Sequence, residues 1–422
     1  MARFESLTAW LNWQEQLHPR PIDLGLERVA KVYNQLNQGR RKIPTITVAG
    51  TNGKGSCIAY LEAIYLAQGY QVGAFTSPHI LRYNERIRIN GQPVDDQTIC
   101  RSFERIDELR GETSLSYFEF GTLAGLDIFA EADLDIQLLE VGLGGRLDAV
   151  NIIDTDVALV TTIALDHVEW LGNTLEAIAK EKAGIFRTGK PAIIGDELTQ
   201  QGLIQIAEQK NAKLLQLGKA YSYTKQATDW DWWYGENNHL RYLPLPVLKG
   251  EHQFKNAAAV LMAVSELQSV LPVASQSIAQ GLKSAELKGR FQLISGQPAV
   301  LLDVGHNPQA VQTLIEHLQE HFSTVKIHAV FAMMKDKDIA TVITMMKPYI
   351  DSWHLAPLTN PRAASQELLA DYFQQQNISK VYSGYSDCTA AFKVVQDRAQ
   401  ADDLILVFGS FFLVSEYLAN FT

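Results

Sequence analysis

The chain has 422 residues, a formal net charge of −10, and a composition that is 46% hydrophobic and 20% charged. That length exceeds what one ordinary core supports, so two or three domains are expected, and the balance of apolar and charged residues is that of a soluble globular protein. The acidic balance argues against nucleic acid as a partner, because phosphate contacts need a basic face, yet a local lysine pocket still accepts a small anion.

The start carries Glu5 and no sustained apolar run. The longest apolar stretch, 404–414, is broken by Gly409 and Ser410 and is too short to span a bilayer. A cytoplasmic protein without a membrane partner is expected. Cys57, Cys100 and Cys388 are far apart and form no CxxC pair, the pattern of reduced, buried thiols.

The first marked segment along the chain is Thr45-Ile46-Thr47-Val48-Ala49-Gly50-Thr51-Asn52-Gly53-Lys54-Gly55-Ser56. A β-branched strand runs into a glycine-rich turn with one lysine, then into a helix over about 57–68. Backbone N–H groups, a helix N-terminus and an ammonium gathered at one point hold polyphosphate. The segment departs from the standard phosphate loop, in which Ser or Thr directly follows Gly-Lys, because Gly55 precedes Ser56.

A helix begins near Leu26, ahead of that loop. After the loop come a strand over 71–75, a break at Ser77-Pro78, helices over 96–109 and 118–132, and strands over 136–141 and 157–161. A helix near 174–183 and a strand over 192–195 follow. Short apolar strands alternating with helices predict a parallel sheet covered on both faces. Residues 220–246 break the rhythm with Trp230, Trp232, Trp233 and Tyr234 before the turn Gly235-Glu236-Asn237-Asn238. They read as a solvent-flanked β-hairpin, with an aromatic stacking site as the alternative.

A second α/β series starts near 298, with strands over 299–303, 326–331, 353–355, 380–383 and 404–408, and 283–288 reads as the linker. The expected class is α/β. An N-terminal phosphate-loop domain with a mostly parallel sheet, 1–287, precedes a smaller Rossmann-like α/β domain, 288–422.

Chemistry gathers where strands end. Strand 136–141 carries Glu140 and then Gly142, Gly144 and Gly145. In an open parallel sheet the carboxyl ends of strands face the ligand crevice, so Glu140 is expected beside the phosphate loop. A carboxylate there suits Mg²⁺, although pairing with a helix terminus is the plain alternative. Asp166-His167 follows the third parallel strand. Lys182, near a helix C-terminus, reads from residue chemistry alone as favourable for the helix dipole. Later fragments are Glu251-His252-Gln253-Phe254-Lys255-Asn256, Lys288-Gly289-Arg290 and Asp303-Val304-Gly305-His306-Asn307-Pro308, the last at the crevice edge of the second domain.

Taken together these segments resemble the Mur-ligase superfamily of ATP-dependent amide-forming ligases, and within it the folylpolyglutamate synthase/dihydrofolate synthase branch. The marks are the loop through Gly55-Ser56, Thr76-Ser77-Pro78-His79, Glu140 to Asp148, Asp166-His167 with Leu171-Gly172, Glu181-Lys182-Ala183-Gly184, and His306-Asn307-Pro308. The extra Gly55 is that branch's form of the loop. Small departures are Val150, Val168 and Val304.

The resemblance implies the following roles. Gly53, Lys54, Gly55 and Ser56 wrap the ATP phosphates, and Asn256, Arg290, Asp303, His306 and Asn307 belong to the same nucleotide site. Ser77, Glu140 and His167 ligate magnesium, with two ions in all. Lys182 becomes N-carboxylated, and Lys54, Lys182 and His167 form the catalytic set. The pterin side falls to Ile22, Asp23 and Leu24, to Tyr117, Phe118 and Glu119, and to Leu147, Asp148 and Ala149, with Tyr117, Phe118 and Phe120 lining an aromatic slot. For Asp23 the plain alternative is a helix cap.

The implied substrates are dihydropteroate, tetrahydrofolates and L-glutamate, acting on a monomer. A peptidoglycan-precursor ligase of the same superfamily is a rival reading. A phosphate-loop ATPase or switch protein is another, but it leaves His167, Lys182 and Asn307 without work.

Overall fold

A computed structural model describes residues 3–421 apart from Thr199 and Asn237. Two compact units emerge. The first comprises the residues up to Ala164, Leu171–Val247 and Gln253–Glu286; the second comprises Leu165–Trp170, Leu248–His252 and the chain from Leu287 onward. Among the described residues no helix is long and apolar enough to cross a membrane.

The first unit is built on an eight-stranded sheet. Its strands are β1 (Thr45–Ala49), β2 (Val72–Phe75), β3 (Ile87–Ile89), β4 (Gln92–Pro93), β5 (Ile136–Glu140), β6 (Val157–Val160), β7 (Pro191–Ile194) and β8 (Lys213–Gln216). They run in the order β4-β3-β2-β5-β1-β6-β7-β8. From β2 to β8 every pairing is parallel, while β3 and β4 add an antiparallel edge. β1 is central and buried at every position, so the threonines Thr45 and Thr47 are as enclosed as Ile46 and Val48, with which they alternate. Its register sets Val48 opposite Glu140 and Ala49 opposite Val160, so the loops leaving β1, β5 and β6 share one edge.

The helix after the loop is Lys54–Gln68, beginning three residues ahead of the expected start near 57. Glycines at Gly53 and Gly55 obscure its first turn in the sequence. Residues 220–246 correct the hairpin expectation. They form a three-stranded antiparallel sheet of β9 (Tyr221–Lys225), β10 (Asp229–Tyr234) and β11 (Asn238–Pro244). Within the expected turn, Asn237 lies outside the described residues. Strand alternation turns Trp230 and Trp232 inward, where both are buried and donate through Nε1 to Pro244 O and Ala258 O at 2.9 and 3.1 Å. These two rings are core, not a stacking platform.

The second unit has a six-stranded sheet of β12 (Gln292–Ile294), β13 (Ala299–Asp303), β14 (Ile327–Phe331), β15 (Ser352–Leu355), β16 (Val381–Tyr382) and β17 (Leu404–Phe408). The order is β12-β13-β17-β14-β15-β16, with only β12 antiparallel. Leu301, Ala329, Phe331, Trp353, Leu406 and Phe408 face one core with the helices Pro308–His321, Ile339–Met346 and Gln366–Gln375.

Candidate active site

The glycine-rich turn after β1 needs its glycines. Gly53 caps the helix Lys54–Gln68 with φ of 91°, and a Cβ there would come 2.7 Å from Asn256 Oδ1. At Gly50, φ is 147° and a Cβ would come 1.8 Å from Thr161 Oγ1. An L side chain is strained at both backbone settings and has no room.

Two lysines meet this turn. Lys54 Nζ donates to Gly50 O at 3.0 Å and to Thr51 O at 3.2 Å. Lys182, only 4% exposed, donates to Gly50 O at 2.9 Å. The glycine segment after β5 makes that approach feasible. A Cβ on Gly145 would lie 2.9 Å from the carbonyls of Glu181 and Lys182, so the loop packs directly on the helix Leu175–Ala183. Arg146 N–H donates to Glu181 O at 2.8 Å, and the Arg146 guanidinium pairs with the Glu181 carboxylate.

Glu140 is buried at the end of β5 and accepts the Ser77 backbone N–H at 3.2 Å. Ser56 is buried too, with Gln253 Nε2 donating to its Oγ at 3.2 Å, and Asn256 Nδ2 donates to Gln253 Oε1 at 3.1 Å. Asn256 is thereby fixed beside Gly53. Cys57 is core, its thiol pushed up by burial. Among the described residues no cluster of three His, Cys, Asp or Glu side chains suits a metal. One buried carboxylate beside a phosphate turn still fits Mg²⁺, whose remaining positions go to phosphate oxygens and water.

Asp148 takes a local job. It accepts N–H groups from Leu143 at 2.8 Å and Val150 at 3.0 Å and caps the short 3₁₀ turn Ala149–Ile152. Burial raises its carboxyl to about 6, against the pull of those hydrogen bonds and of Lys54. Ala149 is buried and Leu147 half-buried beside it.

On the expected pterin side, Tyr117 packs edge-on against Tyr83 at 5.7 Å, with the Arg86 guanidinium over both rings. Phe118 lies against Phe75 and above Gly142. Phe120 does not line a slot. It is fully buried among Trp10, Trp13 and Phe103, because it starts the inward face of the helix Tyr117–Glu131. Glu119 closes a capping box with Ser116. Nor does Asp23 cap a helix: the cap position is Leu26 and carries no side-chain bond. Asp23 instead pairs with Arg28 at 2.9 Å and with His18 at 3.0 Å, and the His18 bond holds its carboxyl below the usual range. Ile22 and Leu24 flank it, both half-buried.

The second unit gathers a separate cluster around Asp166. Lys337 Nζ lies 2.6 Å from Asp166 Oδ1 and 3.3 Å from His167 Nε2; Asn307 Nδ2 donates to Asp166 Oδ2 at 3.3 Å, with His306 Nε2 3.6 Å from the same oxygen. Burial opposes ionisation of Asp166, but the His306 bond and the Lys337 charge outweigh it and hold the carboxyl well below the usual range. His167 has φ of 50°, in the left-handed region. Asn307 also caps the helix Pro308–His321 through Ala310 N–H. Asp303 is buried and accepts from Gly305 N–H at 2.7 Å and Phe291 N–H at 3.2 Å. Burial raises its carboxyl, with the Arg290 charge pulling the other way. Arg290 covers the Phe411 ring at 5.0 Å.

Thus Lys54, Ser56, Ser77, Glu140, Lys182 and Asn256 share the first unit, while His167, Arg290, Asp303, His306 and Asn307 belong to the second. Lys337 escaped sequence reasoning, since Lys335-Asp336-Lys337-Asp338 looks like a solvated charge run. His18 was also missed.

A glycine turn on a helix N-terminus, two convergent lysines and a strand-end carboxylate define a phosphate-handling α/β enzyme. Residues 48–264 match the model of the Mur ligase middle domain, and 289–411 that of the Mur ligase glutamate ligase domain. The dihydrofolate synthase/folylpolyglutamate synthase of Escherichia coli is 42% identical over 98% of this chain and 94% of its own. That of Haemophilus influenzae is 40% identical, covering 98% and 97%. Among solved structures, E. coli FolC with DHPP and ADP superposes with a TM-score of 0.92 at 41% identity, covering 98% and 97% of the two chains. A bifunctional folylpolyglutamate synthase/dihydrofolate synthase with Mn, AMPPNP and L-glutamate bound gives 0.90 at 42%, covering 98% of each. The chain belongs to the Mur ligase family, in its dihydrofolate synthase/folylpolyglutamate synthase branch.

Proposed function

We propose that this chain joins L-glutamate to dihydropteroate, forming dihydrofolate, and extends tetrahydrofolate polyglutamates, with ATP supplying the driving force. The observation that carries the reading is the convergence of Lys54 and Lys182 on Gly50 O. It is supported by relatives of that description along almost the whole chain.

A carboxylate does not react with an amine at neutral pH. The substrate carboxylate oxygen therefore takes the γ-phosphoryl group, giving an acyl phosphate and ADP. The glutamate amine then attacks the acyl carbon, and phosphate leaves from the tetrahedral intermediate as the amine loses its proton. Lys54 and the N–H groups of 53–56 hold the transferring phosphoryl oxygens, where charge develops. Asn256, Arg290, Asp303, His306 and Asn307 complete the nucleotide site.

Ser77, Glu140 and His167 are the magnesium ligands in this reading, with two ions overall; the metal supplies charge neutralisation on the phosphate oxygens. Lys182 acts as a carbamate. Ile22, Asp23, Leu24, Tyr117, Phe118, Glu119, Leu147, Asp148 and Ala149 form the pteroyl side, and Asp148 contributes by shaping its loop. The working division is 1–287 for nucleotide and pteroyl binding and 288–422 for the ligase domain. The partners are small molecules only, and the enzyme acts as a cytoplasmic monomer.

The test is phosphate release with ATP, magnesium and glutamate, using dihydropteroate or tetrahydrofolate as acceptor. Turnover with each acceptor, and near silence without one, is expected. Turnover with tetrahydrofolate alone removes the dihydrofolate synthase activity, and ATP hydrolysis independent of any acceptor removes the ligase reading.

A further inference from the structure

We propose that His18 and Arg28 are positioning residues that set affinity for the pteroyl substrate by locking segment 22–24 to the helix start carrying Tyr117 and Phe118. This rests on the assignment of those two segments to dihydropteroate made above.

Segment 19–25 lies outside helix and strand, so no backbone ladder fixes its path. Side chains do this instead. The first helix, Leu7–Leu17, ends at His18, whose side chain is only 8% exposed. His18 Nε2 lies 3.0 Å from Asp23 Oδ2, and Nδ1 lies 2.9 Å from Ser114 Oγ. A carboxylate only accepts, so Nε2 carries the proton toward Asp23. In the neutral ring Nδ1 then accepts from the Ser114 hydroxyl.

Arg28 closes the circuit. Its Nη1 pairs with Asp23 Oδ2 at 2.9 Å, while Nη2 donates to Asp23 O at 2.8 Å and Glu119 Oε1 at 3.1 Å. The other Glu119 oxygen accepts the Ser116 N–H at 2.8 Å in the capping box that starts the helix Tyr117–Glu131. The polar circuit thus runs from Ser114 through His18, Asp23, Arg28 and Glu119 to Ser116. It ties both pteroyl segments together without touching the phosphate turn. With little water at His18, its lost bond is poorly replaced, and Asp23 is then held only from one side, by Arg28 and, at 3.6 Å, by Arg20.

Steady-state kinetics on the full chain test this. In His18→Ala, KM for dihydropteroate is expected to rise roughly tenfold to a hundredfold, the cost of one charge-assisted hydrogen bond, with KM for ATP and kcat within about twofold. His18→Gln, whose amide reaches toward the Nε2 position and donates to Asp23, is expected to recover most of the affinity. Arg28→Gln is expected to give the same selective rise and carries the test should His18→Ala not fold. An unchanged dihydropteroate KM in the folded variants, or an equal rise in KM for ATP, overturns the inference. Dihydropteroate turnover by the unaltered chain is read first. Its absence rejects the functional assignment and this inference with it, whereas its presence with indifferent variants rejects the inference alone.

Discussion

Lys54 and Lys182 donate to one acceptor, the carbonyl oxygen of Gly50, at 3.0 and 2.9 Å. Lys54 comes from the first turn of the helix that follows the loop, and Lys182 from the last turn of a helix packed on the Gly142 to Gly145 segment. Two lysine side chains are thereby gathered at the turn that the proposed function assigns to the phosphates. Lys54→Ala and Glu140→Gln are each expected to lower kcat by about 10²–10³ at saturating ATP and magnesium, the usual cost of one lost charge contact in the transition state. Unfolding midpoints should barely move, since neither side chain belongs to the apolar core. Near-normal turnover by either folded variant would remove that residue from the site.

Lys182 is expected to carry a carbamate. Its amine is buried and lies 2.9 Å from Gly50 O. The neutral amine adds CO₂ and releases a proton, leaving one N–H for the bond to Gly50 O and a carboxylate to face metal or the glutamate amine. Lys182→Ala should lose activity and regain part of it with added short carboxylic acids. A ¹³C-bicarbonate NMR spectrum of active enzyme lacking a carbamate signal would count decisively against this.

Asp166 and Lys337 form an ion pair at 2.6 Å with side-chain exposures of 9% and 7%. Removing Lys337 leaves a little-exposed carboxylate with Asn307 and His306 as its remaining partners on Oδ2. Lys337→Met is expected to destabilise the second unit by roughly 3–5 kcal/mol, as for other broken buried pairs. Differential scanning calorimetry is the check, and an unaltered transition would mean that water already solvates the pair.

His354 is almost wholly buried, and burial, aided by the charges of Arg398 and His328, lowers its ring to about 4. The unfolded chain binds this proton near 6.5, so unfolding takes up a proton between those values. The stability that His354 contributes is therefore full above 6.5 and drains away as pH falls toward 4. The stability gap between wild type and His354→Gln should be larger at about pH 7 than at about pH 5, read by denaturant unfolding. An equal gap at both values would show that His354 titrates normally.

Much of the first unit was legible because its signals are local. The β-branched run 45–48, the glycines at 50, 53 and 55 and the carboxylate after the mostly apolar segment 136–139 each state a backbone requirement within a few residues. Period-two alternation through Trp230 and Trp232 was equally present, but the sequence does not say which face meets a helix, so buried rings read as an exposed hairpin.

What the sequence by itself determined, then, is the alternation of strands and helices, the strand-end positions of Glu140 and Asp303 and the place of Lys54 in the turn after β1, since parallel strands end at one edge whatever packs around them. The tertiary structure alone decided which groups share a charge or a hydrogen bond. Lys182 reaches Gly50 from a helix on whose backbone Gly145 lets the loop pack closely; Asp166 holds Lys337 because β14 and its following loop bring the lysine to it; and His18 grips Asp23 because the first helix ends there. Such pairings depend on distances across folded segments, and these leave no period or spacing in the chain.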